Sequence, residues 1–549
     1  MKMSARFATS LIVTAAIVGH PAPALGQAAA QAAPYDVVVR NGRVLDGAGN
    51  PWILADVAIK DGRFVKIGRV PDRGPTEIDA RGKYVSPGWI DMMDQSGGVL
   101  PRNGLAENKL RMGVTTAIGG EGGIPVPAAS RIPEYFATLE KNGISINFGS
   151  YYSEAQARGA VLGPSARAPN AQELDRMRAI MDTAMRAGAM GMTTALIYPP
   201  GSYATTEELI EVAKVAAKYG GVYASHNRGE GAEVVQSVNE LITIAEKAGL
   251  PGEVFHLKVA HRPSWGVRMD SVRQAIEAAR ARGVDVAADL YVYTAGGTGL
   301  EATIPSWAFE GGNDSLRARL ANPEIRARLK KEQQTGSPGW WNIVEAAGGW
   351  NGVVLVNARN PENAKYERKT LAEIAKLMNR EPADAAMDLV VQGSGRVMAI
   401  YHMMSEPDIE TALKFPWTSI GSDAGAILAL GQTDQTGLPH PRSFGNAARV
   451  IAEYVKKRKV ISLEEGIRKM TSWPATRMRL ANRGSIKEGH WADVTIFDLD
   501  AIDDRATYDN PMAFPTGIEY VLVNGVVTID HDKHTGAKPG KVLYGPGKP

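Results

Sequence analysis

An α/β barrel carrying a small β domain built from both chain ends is the fold class this sequence predicts, and three observations predict it. Short apolar strands alternate with amphipathic helices through the middle of the chain. Several of those strands close on ligand-type side chains: Gly221-Val-Tyr-Ala-Ser-His226, Glu253-Val-Phe-His256-Leu-Lys258, Val284-Asp-Val-Ala-Ala-Asp289-Leu-Tyr291 and Trp417-Thr-Ser-Ile-Gly-Ser-Asp423. Both ends of the chain read instead as strands and tight turns. Polar side chains at the C-terminal ends of successive parallel strands are how a (β/α)₈ barrel assembles a site.

The N-terminal strands come first. Tyr35-Asp-Val-Val-Val-Arg40, Asn41-Gly42 and Arg43-Val-Leu45 predict a hairpin, and the pattern repeats around Asp61-Gly62. The C-terminal run Ile518-Glu-Tyr-Val-Leu-Val523, Asn524-Gly525, Val526-Val-Thr-Ile529 matches it. Hairpins join a parallel barrel poorly, so a composite β-sandwich from residues 34–86 and 484–545 is expected beside a barrel over 87–483. In the barrel, Thr205-Thr-Glu-Glu208 predicts a capping box and Gly220 a helix stop. Between them Leu209, Val212, Ala213 and Ala216 share one helical face. Equivalent stripes, Val234 to Ala245 and Val272 to Ala279, precede the strands that carry His256 and Asp289. The less regular stretch of about 300–410 predicts an insertion between the seventh and eighth strands, over the barrel mouth.

Composition narrows the chemistry. The chain has 549 residues, a formal net charge of +3 and no basic run, so nucleic acid is not an expected partner. It has no cysteine, which excludes disulfides and thiolate ligands and leaves His, carboxylate or neutral oxygen for any zinc. Residues 1–27 have a basic start, an apolar stretch too short to span a bilayer and small residues at Ala24-Leu25-Gly26, predicting a signal peptide and a periplasmic or secreted protein. No other stretch predicts a membrane span.

His226 and His256 end equivalent strands in adjacent βα units. A lone histidine there is most often structural, whereas two pointing at one place form a metal-ligand pair. Asp423 is the candidate proton carrier, with a helix N-cap as the plain alternative. Lys258 and Arg228 lie two residues beyond their histidines, hence on the same face if the strand persists. With Tyr291, and with Arg442 of His440-Pro-Arg442, they are candidates to hold a substrate carboxylate.

The chain resembles the amidohydrolase superfamily, specifically the N-acyl-D-amino-acid deacylase (D-aminoacylase) group. The resemblance is carried by Asn41-Gly-Arg-Val-Leu-Asp-Gly47, Pro87-Gly-Trp-Ile-Asp91, Gly113-Val-Thr-Thr116, Leu196-Ile-Tyr-Pro-Pro-Gly201, Ser225-His-Asn-Arg228 and His256-Leu-Lys258. It continues through Tyr293-Thr-Ala-Gly296, Gly421-Ser-Asp423, His440-Pro-Arg442, Lys469-Met-Thr-Ser-Trp-Pro-Ala475 and Arg483-Gly-Ser-Ile-Lys-Glu-Gly489. It implies a TIM-type barrel with a flanking β-sandwich, zinc on His226 and His256, Asp423 as general acid/base, and Lys258 with a downstream tyrosine on the substrate carboxylate.

Two departures from the group stand out. Its His-x-His after the first strand is replaced by Met93 and Gln95 in Asp91-Met-Met-Asp-Gln95. Its bridging cysteine after the second strand is replaced by glycine, with Glu121 beside it. Methionine is a poor zinc ligand and glutamine a weak one, so one zinc on His226, His256 and Glu121 is expected rather than two. Gln95 becomes a candidate to hydrogen-bond the attacking water or the scissile carbonyl. The expected function is hydrolysis of the amide of an N-acyl, D-configured amino acid or related small amide. Two alternatives are a barrel enzyme acting on a cyclic amide, dipeptide or lactone, and a non-catalytic periplasmic ligand-binding barrel.

Overall fold

The computed structural model describes residues 34–427 and 437–548, so the expected signal peptide lies outside the described residues. Strands at the N-terminal end are β1 (Val37–Val44), β2 (Ile53–Lys60), β3 (Arg63–Gly68), β4 (Thr76–Asp79) and β5 (Tyr84–Pro87). The central strands are β6 (Trp89–Asp94), β7 (Val114–Gly119), β8 (Asn147–Ser150), β9 (Tyr152–Ser153), β10 (Gly191–Ala195), β11 (Val222–His226), β12 (Gly252–Val254) and β13 (Val286–Leu290). Then come β14 (Gly296–Gly299), β15 (Val353–Asn357), β16 (Met398–Tyr401), β17 (Thr418–Ile420), β18 (Val494–Phe497), β19 (Ile518–Val523), β20 (Val526–Asp530) and β21 (Lys533–His534).

Both chain ends share one nine-stranded sheet, in the order β21-β20-β19-β18-β5-β1-β2-β3 with β4 paired to β1. The seam between the ends is the antiparallel pairing of β18 with β5, Ile496 opposite Val85. Val39, Val57, Ile59, Phe64, Val494 and Ile496 bury a common apolar face there.

The expected hairpin at Asn41-Gly42 is corrected. The chain runs straight through β1, with a register shift between Val39 and Gly42 against β2. Asn41 takes φ 56° and a Cβ on Gly42 would meet the Val85 side chain at 2.5 Å, so the dipeptide makes a bulge that lets β5 approach. Asp61-Gly62 and Asn524-Gly525, with φ of 49°, 74°, 47° and 79°, do form two-residue turns between antiparallel strands.

The central strands are parallel. One sheet is β6-β7-β8 and the other β9-β10-β11-β12-β13-β17. Only Tyr151 separates β8 from β9, and a parallel bridge from Asp94 to Ala424 joins the end of β6 to the residues after β17. The helices Thr206–Lys218, Val234–Ala248 and Arg268–Ala281 fall between strands as the apolar stripes require, with Leu209, Val238, Leu241, Val272 and Ile276 buried. The capping box is only half formed. Thr205 Oγ1 accepts from the Glu208 amide at 3.2 Å, but the Glu208 carboxylate accepts from buried Arg158 at 2.6 and 2.7 Å. A buried guanidinium outbids a solvated backbone N–H for that carboxylate.

Between β13 and β17 the chain makes the antiparallel sheet β14-β16-β15 and several helices. This segment walls a cavity of about 1070 Å³ that opens at the C-terminal ends of the parallel strands. Among the described residues, no helix is long and apolar enough to cross a membrane.

Candidate active site

His226 is the last residue of β11, and His256 lies two residues past β12. Their rings meet edge to face with centroids 4.4 Å apart. Glu121 enters from the Gly-rich turn after β7, its Oε2 2.8 Å from His226 Nδ1 and 3.7 Å from His256 Nε2. Among the described residues these three form a group of metal-type donors whose ligand atoms all lie within 4.8 Å of one another. The three sequence-predicted ligands are therefore brought together. The donor set of one carboxylate oxygen and two imidazole nitrogens suits a catalytic zinc with an open position.

The backbone is strained where it delivers this chemistry. His256 takes φ 37° and Asp423 φ 50°, a region that non-glycine residues adopt at some cost. At His256 the conformation is held by its amide, which donates to buried Asp289 at 2.9 Å. At Asp423 the amide donates to Met93 O at 2.8 Å, and Gln95 donates to Ala424 O at 3.3 Å. Beneath that link, buried Lys109 lies 2.8 Å from both Asp91 and Asp94 and donates to Ser422 Oγ at 2.9 Å and to the Ala424 carbonyl. The ammonium thus rivets the first parallel strand to the last and sets the position of Asp423.

Glu230 is the residue that sequence reasoning missed. It follows His226 by four positions and is buried. Its Oε1 is 3.0 Å from His256 Nδ1, and its Oε2 is 3.7 Å from His226 Nε2, a buried nitrogen with no hydrogen-bond partner. One carboxylate therefore faces the outer nitrogen of both rings, the partner that a metal-binding imidazole needs to hold its tautomer. The signal was present in Ser-His-Asn-Arg-Gly-Glu, but nothing in the spacing shows that the loop after β11 folds the glutamate back.

Lys258 is buried, donating to Glu230 at 2.6 Å with its Nζ also 2.6 Å from His256 Nδ1. Its charge is already matched by Glu230. Tyr291 lines the cavity under the Arg442 guanidinium, 4.6 Å from its ring centroid. Arg442 pairs with Asp423 at 2.7 Å, while its Nε and Nη1 are buried without partners. Both atoms lie beneath the cavity surface, and the nitrogen shared with Asp423, Nη2, is the one that also donates to Gly297 O at 3.3 Å. Gln95 is exposed in the cavity, its Nε2 3.4 Å from Asp423 Oδ1. Met93 is buried in an apolar cluster with Ile90, Met92 and Ile118. Arg228 is a correction. Its guanidinium is spent on Glu240 at 3.0 Å and on the carbonyls of Ser202 and Ala204, because the chain leaves strand geometry after His226 and the alternation lapses.

The electrostatics favour the ionised ligand set. Burial raises the Glu121 carboxyl, but His226 and His256 outweigh it and hold the group well below the usual range. Burial and the Lys258 ammonium both lower His256, yet Glu230 and Glu121 push it up to about 9. Zinc requires the neutral ring, so below that pH each binding event expels a proton. The apparent zinc affinity of the metal-free protein is expected to rise about tenfold per pH unit from 6.5 towards 9 and then level. Competition with a chromophoric chelator across that range measures it; a flat profile refutes the coupling.

The amidohydrolase family model matches residues 356–529. The D-aminoacylase of Alcaligenes xylosoxydans xylosoxydans is 30% identical over 531 residues, 93% of this chain and 98% of that protein. The chain belongs to the amidohydrolase family, in its D-aminoacylase group. As such it is an amidohydrolase, a hydrolase of carbon–nitrogen bonds other than peptide bonds. The solved N-acyl-D-glutamate deacylase of Bordetella bronchiseptica, complexed with zinc and a phosphonate mimic of the tetrahedral intermediate, superposes with a TM-score of 0.78 at 28% identity, covering 93% of this chain and 99% of that one. A D-aminoacylase structure described for one-metal activation and second-metal attenuation of a binuclear centre gives the same TM-score, 0.78, at 29% identity, covering 93% of this chain and 100% of that one.

Proposed function

We propose that this protein is a zinc-dependent amidohydrolase that hydrolyses the amide bond of an N-acyl amino acid, with D configuration at the α-carbon. The observation that carries this reading is the Glu121–His226–His256 group sharing one cavity with Asp423 and its Arg442 partner. The relatives named above act on N-acyl-D-amino acids, which supports the configuration.

Glu121, His226 and His256 would hold the ion, which when bound supplies Lewis acidity towards the amide carbonyl and lowers the pKa of water. Asp423 takes the proton of the attacking water and returns it to the departing amine nitrogen. Arg442, stacked on Tyr291 and paired with Asp423, is the cation that attracts and orients the substrate carboxylate. Lys258, paired with Glu230, holds the outer edge of the His256 ring in place. Gln95 steadies Asp423 from the first strand.

The reading has one ion rather than two. Met93 is turned into apolar packing and Gln95 offers only a weak amide oxygen, so the first strand supplies no second set of ligands. The one-metal activation described for a D-aminoacylase is consistent with that count. In the fold, β6, β7, the interrupted β8–β9 strand, β10 to β13 and β17 are read as one closed eight-stranded barrel, sealed by the Asp94–Ala424 bridge. The nine-stranded sheet is read as the flanking sandwich, with 34–86 and 484–545 as one domain, 87–483 as the barrel, and export directed by 1–27.

Asp423→Asn tests the mechanism. It is expected to keep stoichiometric zinc while kcat on an N-acetyl-D-amino acid falls about 10²–10⁴-fold. Unchanged turnover would remove Asp423 from proton transfer.

A further inference from the structure

The insertion contributes a cation to the cavity that the proposed reaction does not use. Arg396 precedes β16 and its surface opens onto the cavity. Its guanidinium lies over the ring of Tyr198, 4.7 Å from the centroid, and Nη2 donates to Thr298 Oγ1 at 2.7 Å. Tyr198 Oη and Thr298 Oγ1 are themselves hydrogen-bonded at 2.6 Å. The fork is thus fixed in direction before any ligand arrives. No carboxylate among the described residues forms an ion pair with it. The neighbouring carboxyl, Glu301, accepts the Val397 amide through one oxygen at 3.2 Å and buries the other without a partner, and burial pushes that carboxyl up towards its neutral form.

The position of Arg396 relative to the chemistry is informative. Tyr198 presents its ring to His226, with centroids 5.5 Å apart, and Tyr291 presents its ring to His256 at 6.3 Å. Each tyrosine carries one arginine, Arg396 on the first and Arg442 on the second. The ligand histidines therefore sit between two guanidinium-on-tyrosine stacks. The two forks also touch adjacent residues of β14, since Arg442 Nη2 donates to Gly297 O at 3.3 Å. Backbone dimensions then put their nearest nitrogens within about 10 Å of each other. The carboxylate carbons of an extended five-carbon diacid are about 5 Å apart. A C–O bond of about 1.2 Å and a charge-assisted hydrogen bond of about 2.8 Å at each end extend that reach to as much as about 13 Å, enough to bridge the two forks.

We infer that the preferred substrate carries two anionic groups, an α-carboxylate on Arg442 and a second carboxylate on Arg396. The second belongs either to an acidic side chain or to a dicarboxylic acyl group. This inference rests on the reading of the site as an N-acyl amino acid hydrolase. Neutral substrates leave the Arg396 charge with a hydroxyl acceptor, Thr298, but no carboxylate, and the missing ion pair is the source of the discrimination.

The experiment uses the zinc-loaded full-length mature protein and two matched pairs. N-acetyl-D-glutamate is compared with isosteric N-acetyl-D-glutamine, and N-succinyl-D-alanine with N-acetyl-D-alanine. Calorimetric binding to Asp423→Asn protein accompanies the kinetics, so selectivity is read even without turnover. At least one dianion is expected to exceed its neutral partner by about 10–100-fold in kcat/KM and in affinity, the worth of one charge-assisted hydrogen-bonded pair. Which pair responds assigns the second carboxylate to side chain or acyl group. Arg396→Met should lower the dianion's kcat/KM at least tenfold more than its partner's, chiefly through KM. Equal or better use of both neutral partners overturns the inference, as does an Arg396→Met loss that is uniform across all four compounds. Dianion-selective binding with no hydrolysis by the wild-type protein would instead overturn the hydrolase reading and leave the anion site standing.

Discussion

His256→Ala is expected to lose zinc and turnover together. The substitution removes one of the three metal-type donors grouped among the described residues and, with it, the nitrogen that Glu230 and Lys258 hold in place. Two protein ligands remain, fewer than the three of a catalytic zinc site, and the outer carboxylate loses one of the two rings it orients. The loss in affinity should exceed the ~10–100-fold typical of removing an outer partner alone. Metal quantification after dialysis, paired with hydrolysis of an N-acetyl-D-amino acid, reads both. Full zinc occupancy in this variant would mean that His226 and Glu121 hold the ion with some other residue, and the assignment of the centre would fall.

Lys109→Met should be the most damaging substitution away from the ligands. Lys109 is fully buried and is the counter-ion of both Asp91 and Asp94. Methionine preserves the volume but leaves two carboxylates with no cation. Burial already raises the Asp94 carboxyl, and Asp91 raises it further, against the pull of Lys109. Breaking a buried ion pair from one side costs about 3–5 kcal/mol. Denaturant unfolding monitored by circular dichroism should show that loss, and the folded fraction should also turn over more slowly. The reason is that Ser422 and Ala424, the neighbours of Asp423, are direct partners of the ammonium. A change below about 1 kcal/mol would show that the first and last parallel strands are held together by other contacts.

Particular residues show how far the sequence was legible. The helical stripes and the strand-end histidines were readable because periodicity and chain order are local properties, and the structure puts Leu209, Val238 and Ile276 inside and His226 and His256 ring to ring. Asn-Gly was ambiguous. At 524–525 it turns a hairpin, whereas at 41–42 it makes a bulge, because Val85 of β5 packs against Gly42 there. That neighbour comes from over forty positions along the chain, beyond the reach of turn chemistry. Alternation failed at both positions: Arg228 turns away to Glu240, and Lys258 reaches His256 through the turn after β12 rather than along a strand. The rule assumes a continuing strand, and β11 ends at His226 and β12 already at Val254.

Local pattern was enough to establish the α/β architecture, the two strand-rich ends and the strand-end histidines, and the family resemblance added Glu121 and the departure at Met93 and Gln95. It could not establish which charges are spent and which are free. Glu208 is bound by Arg158, Lys258 by Glu230, Arg228 by Glu240 and Arg442 by Asp423, while Arg396 stays open to the cavity without an ion pair among the described residues. Ion pairing depends on distances of a few ångströms between segments far apart in the chain, and those distances exist only once the strands have closed around the site.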